Sequence, residues 1–176
     1  KNPDLPESQK AQIALAVGIG AVKYADYSNN RDSDYVFSFD KMLAMDGNTA
    51  PYMQYAYARI RSIERKSEGK EVDIERELRE IHKTLALVDS SEIDLAKKLI
   101  QYDQAIEAAA LQNRPNYLTS YLYDLSQTFS RFYNACPVLQ AVDNRRPTRL
   151  LLCDLTARVI RHGMEDLLGI TMPQQM

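Results

Sequence analysis

Tyr55 and Arg59 stand four residues apart in a stretch patterned as a helix, which places a phenol ring and a guanidinium one turn apart on the same face. A ring so placed stacks on a flat nucleobase, and the planar donor fork beside it reaches the base's edge. The same spacing also describes a ring half buried between helices beside a solvated arginine, and the residue types alone favour that plainer arrangement. A second cationic feature lies further along. Between Arg114 and His162, seven arginines (114, 131, 145, 146, 149, 158 and 161) stand against three aspartates (124, 143 and 154), a local balance of +4. Of these, Arg145, Arg146 and Arg149 cluster where a loop enters a helix and are candidate phosphate contacts. Solvated arginine faces look the same in one dimension. The net charge of −2 argues against a protein that coats nucleic acid indiscriminately, while a basic patch on a mildly acidic body suits selective contact with a structured polyanion.

Other chemistry finds little support. His82 and His162 are the only histidines, and neither has a second ligand at helical spacing or a nearby cysteine pair, so no zinc site is expected. Gly18 and Gly20 only begin a phosphate-loop pattern, and no strand precedes them. Asp32 and Asp34 sit in a polar run where solvation is their ordinary role. Cys136 and Cys153 lie far apart in apolar helical patterns, as reduced core thiols do. No nucleophile, base and orienting group assemble themselves, so neither an independent catalytic site nor a cofactor or metal is expected in the chain itself.

The elements that must carry these residues are helical. With 176 residues, 45% hydrophobic and 26% charged, the chain is long enough for one good core or two small ones. No stretch approaches a membrane span, and no signal peptide precedes the first helix, which suits a soluble cytoplasmic protein. Lys1 opens the chain where an initiator methionine is expected, so it reads as a segment of something longer. A first helix is expected from Ser8 to Val17, broken at Gly18 and Gly20. Tyr35 to Phe39 alternates like a strand whose partners lie elsewhere, and Asp40 caps a short helix to Met45. Thr49 caps a long helix from Ala50 to about Lys66, with Met53, Ala56, Ile60 and Ile63 inward and Tyr52, Tyr55 and Arg59 on the adjoining face. A charged surface helix is expected over Asp73–His82, a helix capped by Ser91, another over Tyr102–Leu111, and a strongly buried one over Pro115–Ala135. Asp143 to Pro147 reads as a basic loop, Thr148 as the cap of a last helix to about Leu168 closed by Gly169, and the tail from Thr171 as extended. The fold class is mainly α: an antiparallel helical bundle over residues 49–176, preceded over 1–48 by a short α/β remnant.

Two stretches resemble arginyl-tRNA synthetases: GAVKYADYSNNRDSDYVFSFDKMLAMDGNTAPYMQYAYARIRSI from Gly20 to Ile63 and YLTSYLYDLSQTFSRFYNACPVL from Tyr117 to Leu139. The ending RLLLCDLTARVIRHGMEDLLGITMPQQM is similar to that family's last helix and terminal methionine, and the second stretch also resembles the helical anticodon-binding domains called DALR. The resemblance implies that Tyr55, Arg59 and Met176 surround the middle anticodon base, and that the Asp46-Gly47-Asn48-Thr49 turn responds to tRNA binding. Every arginine codon has G in the middle, so that base is always C. It further implies an enzyme that joins arginine to tRNA(Arg) with ATP and Mg²⁺ as a cytoplasmic monomer, with the catalytic domain upstream. Residues 1–48 would then end that domain, because the HIGH-like and KMSK-like motifs are absent from this chain. Gln174-Gln175 stand where the family has Glu-Arg, which removes a positive charge beside the expected pocket. Two alternatives stay open at this level: a non-catalytic helical module that binds another protein, and the anticodon domain of a different synthetase.

Overall fold

The computed structural model describes residues 5–68, 85–141 and 145–176. The helix expected over Asp73–His82 lies outside them. In chain order the helices are α1 (Glu7–Ser28), α2 (Phe39–Met42), α3 (Ala50–Glu68), α4 (Ser90–Leu99), α5 (Tyr102–Leu111), α6 (Pro115–Ala135) and α7 (Arg145–Arg161), which runs into a π-helical turn over His162–Leu167. Helix α6 is the hub: it packs against α1, α3, α4, α5 and α7. Its inward face carries Leu118, Leu122, Leu125, Phe129 and Phe132, all buried, because leucines and aromatics recur there every three or four residues. Against it lie Met53, Tyr57, Ile60 and Ile63 of α3, and Leu150, Cys153, Ala157 and Ile160 of α7. The bundle therefore follows from patterning, as expected. Both cysteines are buried, and neither is in a disulfide.

Four local expectations are corrected. Helix α1 does not break at its glycines but continues for 22 residues to Ser28. Glycine costs a helix only about 1 kcal/mol relative to alanine, and here packing offsets that: a Cβ on Gly20 would lie 3.0 Å from Ile170 Cγ2 and 3.1 Å from Gln54 Nε2. Nothing lies near Gly18, and its choice has no packing reason. Second, residues 34–38 form no regular element, and there is no strand among the described residues. The alternating aromatics that mimic a strand are instead exposed, with the Phe37 and Phe39 rings edge to face at 4.9 Å and the Tyr35 hydroxyl donating to Asp26. Third, the caps move. Ser38, not Asp40, accepts from the Lys41 amide to start α2, which ends at Met42. Asp89, not Ser91, is the N-cap of α4, with the Glu92 carboxylate accepting from the Asp89 amide at 3.1 Å. Fourth, Arg145 to Pro147 form the first turn of α7, where proline is tolerated, so Thr148 is buried inside the helix and accepts from the Ala86 amide.

Thr49 does cap α3: its hydroxyl oxygen accepts from the Tyr52 amide at 3.3 Å and donates to the Ala44 carbonyl at 2.7 Å. At the far end, Gly163 lets α6 approach the π-helical turn, since a Cβ there would sit 2.9 Å from both methyls of Leu122. The turn then hands the chain to the tail through a bond from the Ile170 amide to the Met164 carbonyl at 2.7 Å.

Candidate nucleic-acid interface

Helix α3 buries Met53, Ile60 and Ile63, and this locks its rotation so that Tyr55 and Arg59 point away from the core. Tyr55 is 45% exposed. The Arg59 guanidinium carbon lies 4.6 Å from the ring centroid of Tyr133 on α6, and that ring stacks on the buried Phe129. The guanidinium thus rests over a ring that is itself anchored on the core. Tyr55, Arg59, Ala58, Ser62 and Arg65 form one wall of an open cleft of ≈ 460 Å³, and Gln175 and Met176 form the other. Three residues singled out in the sequence, Tyr55, Arg59 and Met176, therefore share one cleft.

The tail reaches that position through a series of polar contacts. The Met172 amide donates to Glu165 Oε1 at 2.9 Å, and that carboxylate is also gripped by Arg161 at 2.6 Å. Gln174 Nε2 donates to the Tyr57 hydroxyl at 3.0 Å, and Arg65 Nη1 donates to the Gln174 carbonyl at 3.2 Å. Gln174 thus ties the tail to α3, while Gln175, at the position where the resemblance implies a lost positive charge, lines the cleft itself. The ring of Tyr57 is fully buried, so its hydroxyl is a fixed anchor, and Arg61 Nε donates to it as well.

The other predicted residues lie elsewhere. The turn Asp46–Thr49, with Gly47 at φ 74°, is tied to the bundle by Tyr24, whose hydroxyl proton is shared between Asn48 Oδ1 at 2.7 Å and the Thr119 carbonyl at 3.1 Å. Burial pushes the Tyr24 phenol far above its usual pKa, so it stays a donor. Tyr24, Asn48, Thr49 and Lys41 line a separate hollow of ≈ 340 Å³. Among the basic residues, Arg149 is corrected: it is 4% exposed and turned inward. Its Nε donates to Glu92 Oε1 at 2.7 Å, Nη2 to Asp89 Oδ2 at 2.7 Å and Nη1 to the Pro137 carbonyl at 2.8 Å. It is a structural ion pair, out of reach of a phosphate. Arg145 lies 3.5 Å from the same Asp89, whereas Arg146 is half-buried, its Nε and Nη2 themselves buried and without hydrogen-bond partners among the described residues. Arg114, Arg158 and Arg161 pair with Asp32, Asp154 and Glu165, so much of the arginine excess is neutralised within the bundle. Asp89, Glu92 and Cys136 come close enough to share a cation, but the Arg149 guanidinium already occupies the two carboxylates.

Sequence reasoning missed Tyr133 and Arg65, and it noted Gln174 without the bond that the residue makes to Tyr57. Arg65 and Ser62 continue the face of Tyr55 and Arg59 by helical spacing and were there to be found. Tyr133 gave no such signal, because it joins the site from another helix.

A helical bundle with an aromatic and cationic cleft on one face is the architecture of a nucleic-acid-reading domain. The model of the DALR anticodon binding domain matches residues 53–176, and the chain belongs to that family. The model described as tRNA synthetases class I (R), catalytic domain, matches residues 1–39. The chain is 54% identical over 170 residues to the arginine–tRNA ligase of Synechocystis, covering 97% of this chain and 28% of that one. It is 47% identical over 176 residues to the arginine–tRNA ligase of Chromobacterium violaceum, covering 100% and 29%. Among solved structures, the Thermus thermophilus arginyl-tRNA synthetase superposes with a TM-score of 0.83 at 32% identity, covering 99% of this chain and 29% of that one. The Plasmodium falciparum enzyme gives the same TM-score and identity over 94% of the chain. The chain thus spans less than a third of the length of the relatives it matches. Among the described residues no helix is long and apolar enough to cross a membrane.

Proposed function

We propose that the chain is the anticodon-reading part of an arginyl-tRNA synthetase, with residues 1–48 closing the catalytic domain and 49–176 forming the reading domain. The observation that carries this reading is the convergence of Tyr55 and Arg59 with Met176, more than a hundred residues away in sequence, on one open cleft. Tyr55 stacks on the splayed middle base of the anticodon, and stacking is tolerant of base identity. Discrimination falls to the edge. Arg59 presents only donors, which suit the O2 and N3 acceptors of cytosine, whereas uracil offers a donor at N3 and leaves a guanidinium N–H facing an N–H. Met176 covers the base on the side opposite α3. Arg145 and Arg146, at the start of α7, meet phosphates, and the turn at Asp46–Thr49 shifts as tRNA seats.

On this reading the parent enzyme attaches arginine to tRNA(Arg) with ATP and Mg²⁺, works in the cytoplasm as a monomer, and holds its ATP and arginine sites upstream of this chain. Here the chain supplies binding and orientation, which an enzyme converts into rate by placing the reacting end of the tRNA. Titrating the chain with an arginine-tRNA anticodon hairpin, and with the same hairpin carrying U at the middle position, tests it at fixed salt. A preference for C is expected. Equal and strongly salt-dependent binding would reduce the site to a basic patch, and no binding to either hairpin would favour a protein-interaction module.

A further inference from the structure

We propose that Gln54 is a positioning residue for the cleft: its buried amide clamps the main chain of α1 and of the tail together, and so sets where Met176 stands. The inference rests on the reading of the cleft as a base pocket. Gln54 directly precedes Tyr55, and its side chain is fully buried. Nε2 donates to the Thr171 carbonyl at 2.8 Å and to the Ala16 carbonyl at 3.2 Å. Both neighbours are acceptors, so only the NH₂ end of the amide fits there, and Oε1 is left buried without a partner. An unpaired buried oxygen is unfavourable, and an apolar side chain of similar size would avoid it. Such a side chain would lose the two bonds that hold the tail against α1. The unpaired oxygen is the local cost of the two bonds that fix the tail.

The surroundings are shaped to the same end. Gly20 opens the slot into which the Gln54 amide and the Ile170 methyl both enter, each within 3.1 Å of where a Cβ would stand. Thr171 lies five residues before Met176, and Gln174, further along the tail, again lands on α3 through Tyr57. The clamp also joins the two regions that match different family models, since Ala16 belongs to the catalytic-domain match and Gln54 to the anticodon-domain match. One amide therefore registers the tail against both.

The test compares the whole chain with Gln54→Glu and Gln54→Leu, each also made in a chain lacking Pro173 to Met176. Hydrogen exchange of the Ile170 and Met172 amides is followed without nucleic acid, and the preference for C over U is measured with the anticodon hairpins. Loss of two buried hydrogen bonds predicts exchange about tenfold faster and a preference about tenfold weaker in the intact chain. In the truncated chain, Gln54→Glu should change the preference less than about twofold, because the wall it positions is gone. Unchanged exchange in both variants, or effects that simply add to truncation, would overturn the proposal. If the unmodified chain shows no preference, the base-pocket reading fails, and the exchange data alone decide whether Gln54 holds the tail. Should the amide variants not fold, Gly20→Ala crowds the same slot and predicts the same direction at smaller size.

Discussion

Replacing Arg149 by alanine would leave Glu92 fully buried with no cation, and Asp89 with only Arg145 at 3.5 Å. The guanidinium makes charge-assisted bonds of 2.7 Å to each carboxylate. Asp89 is 42% exposed in its side chain and will be rehydrated, so the penalty falls on Glu92. Breaking a buried pair by removing one partner costs about 3 to 5 kcal/mol. Against a typical total of about 5 to 15 kcal/mol, that is a large share, and in a chain of this size it lowers Tm by roughly 10 °C. The pH dependence supplies a sharper test. Burial pulls the Glu92 carboxyl upward, but the bond from Arg149 and the amides of Val88 and Asp89 outweigh it and hold the pKa below its usual value. A depressed folded pKa contributes stability above the unfolded value of about 4.3, and that contribution is lost as pH falls through the folded pKa. Without Arg149 burial dominates and the carboxyl pKa rises, so the sign reverses. The gap between wild type and variant should be widest near neutrality and narrow on acidification toward about pH 4. Urea unfolding at both ends of that range measures it. A gap under about 1 kcal/mol at neutral pH, or one that does not narrow, would show that the pair is not what holds α4 to α7.

Tyr55→Ala should weaken hairpins with C and with U in parallel by about 1 to 3 kcal/mol, since a stacking platform is blind to the edge, and fluorescence titration of both hairpins checks this. Arg59→Lys should leave the C hairpin bound but lose most of the preference over U in the same assay, because a point charge cannot reproduce the planar fork. Arg146→Ala should weaken all tRNAs alike and reduce the slope of log affinity against log salt by about 1, read from titrations at several salt concentrations. Gly163→Ala should destabilise by about 1 to 3 kcal/mol in thermal unfolding, because the new methyl meets Leu122 at 2.9 Å.

The long helices were legible because their signals are local. Pro115 opens α6 and the leucine and phenylalanine stripe runs its length, while Thr49 announces α3 by its own side chain. Legibility failed where the deciding partner is distant. Gly20 reads as a helix break until Ile170 and Gln54 are seen against it, and Tyr35 to Phe39 read as a strand although alternation says nothing about the availability of a second strand. Arg149 looked free because Glu92 and Asp89 lie 57 and 60 residues upstream. In the site, Tyr55 and Arg59 came from helical spacing, but Met176 came only through family resemblance, since no periodicity joins a tail to a helix.

That division also describes how the cleft is built. One wall stands on α3, whose inward side chains are locked in the core, so on the proposed reading Tyr55 and Arg59 need little ordering to receive a base. The other wall is a tail with no regular structure of its own, anchored by the buried side chains of Ile170 and Met172 and by hydrogen bonds through Thr171, Met172 and Gln174. A rigid wall suits the groups that must read an edge to within a fraction of an ångström. On the proposed reading, a tail wall excludes water from the base, which strengthens the hydrogen bonds made behind it. The bonds that hold the tail are therefore the place where a change far from any base contact should alter discrimination without altering the surface that does the reading.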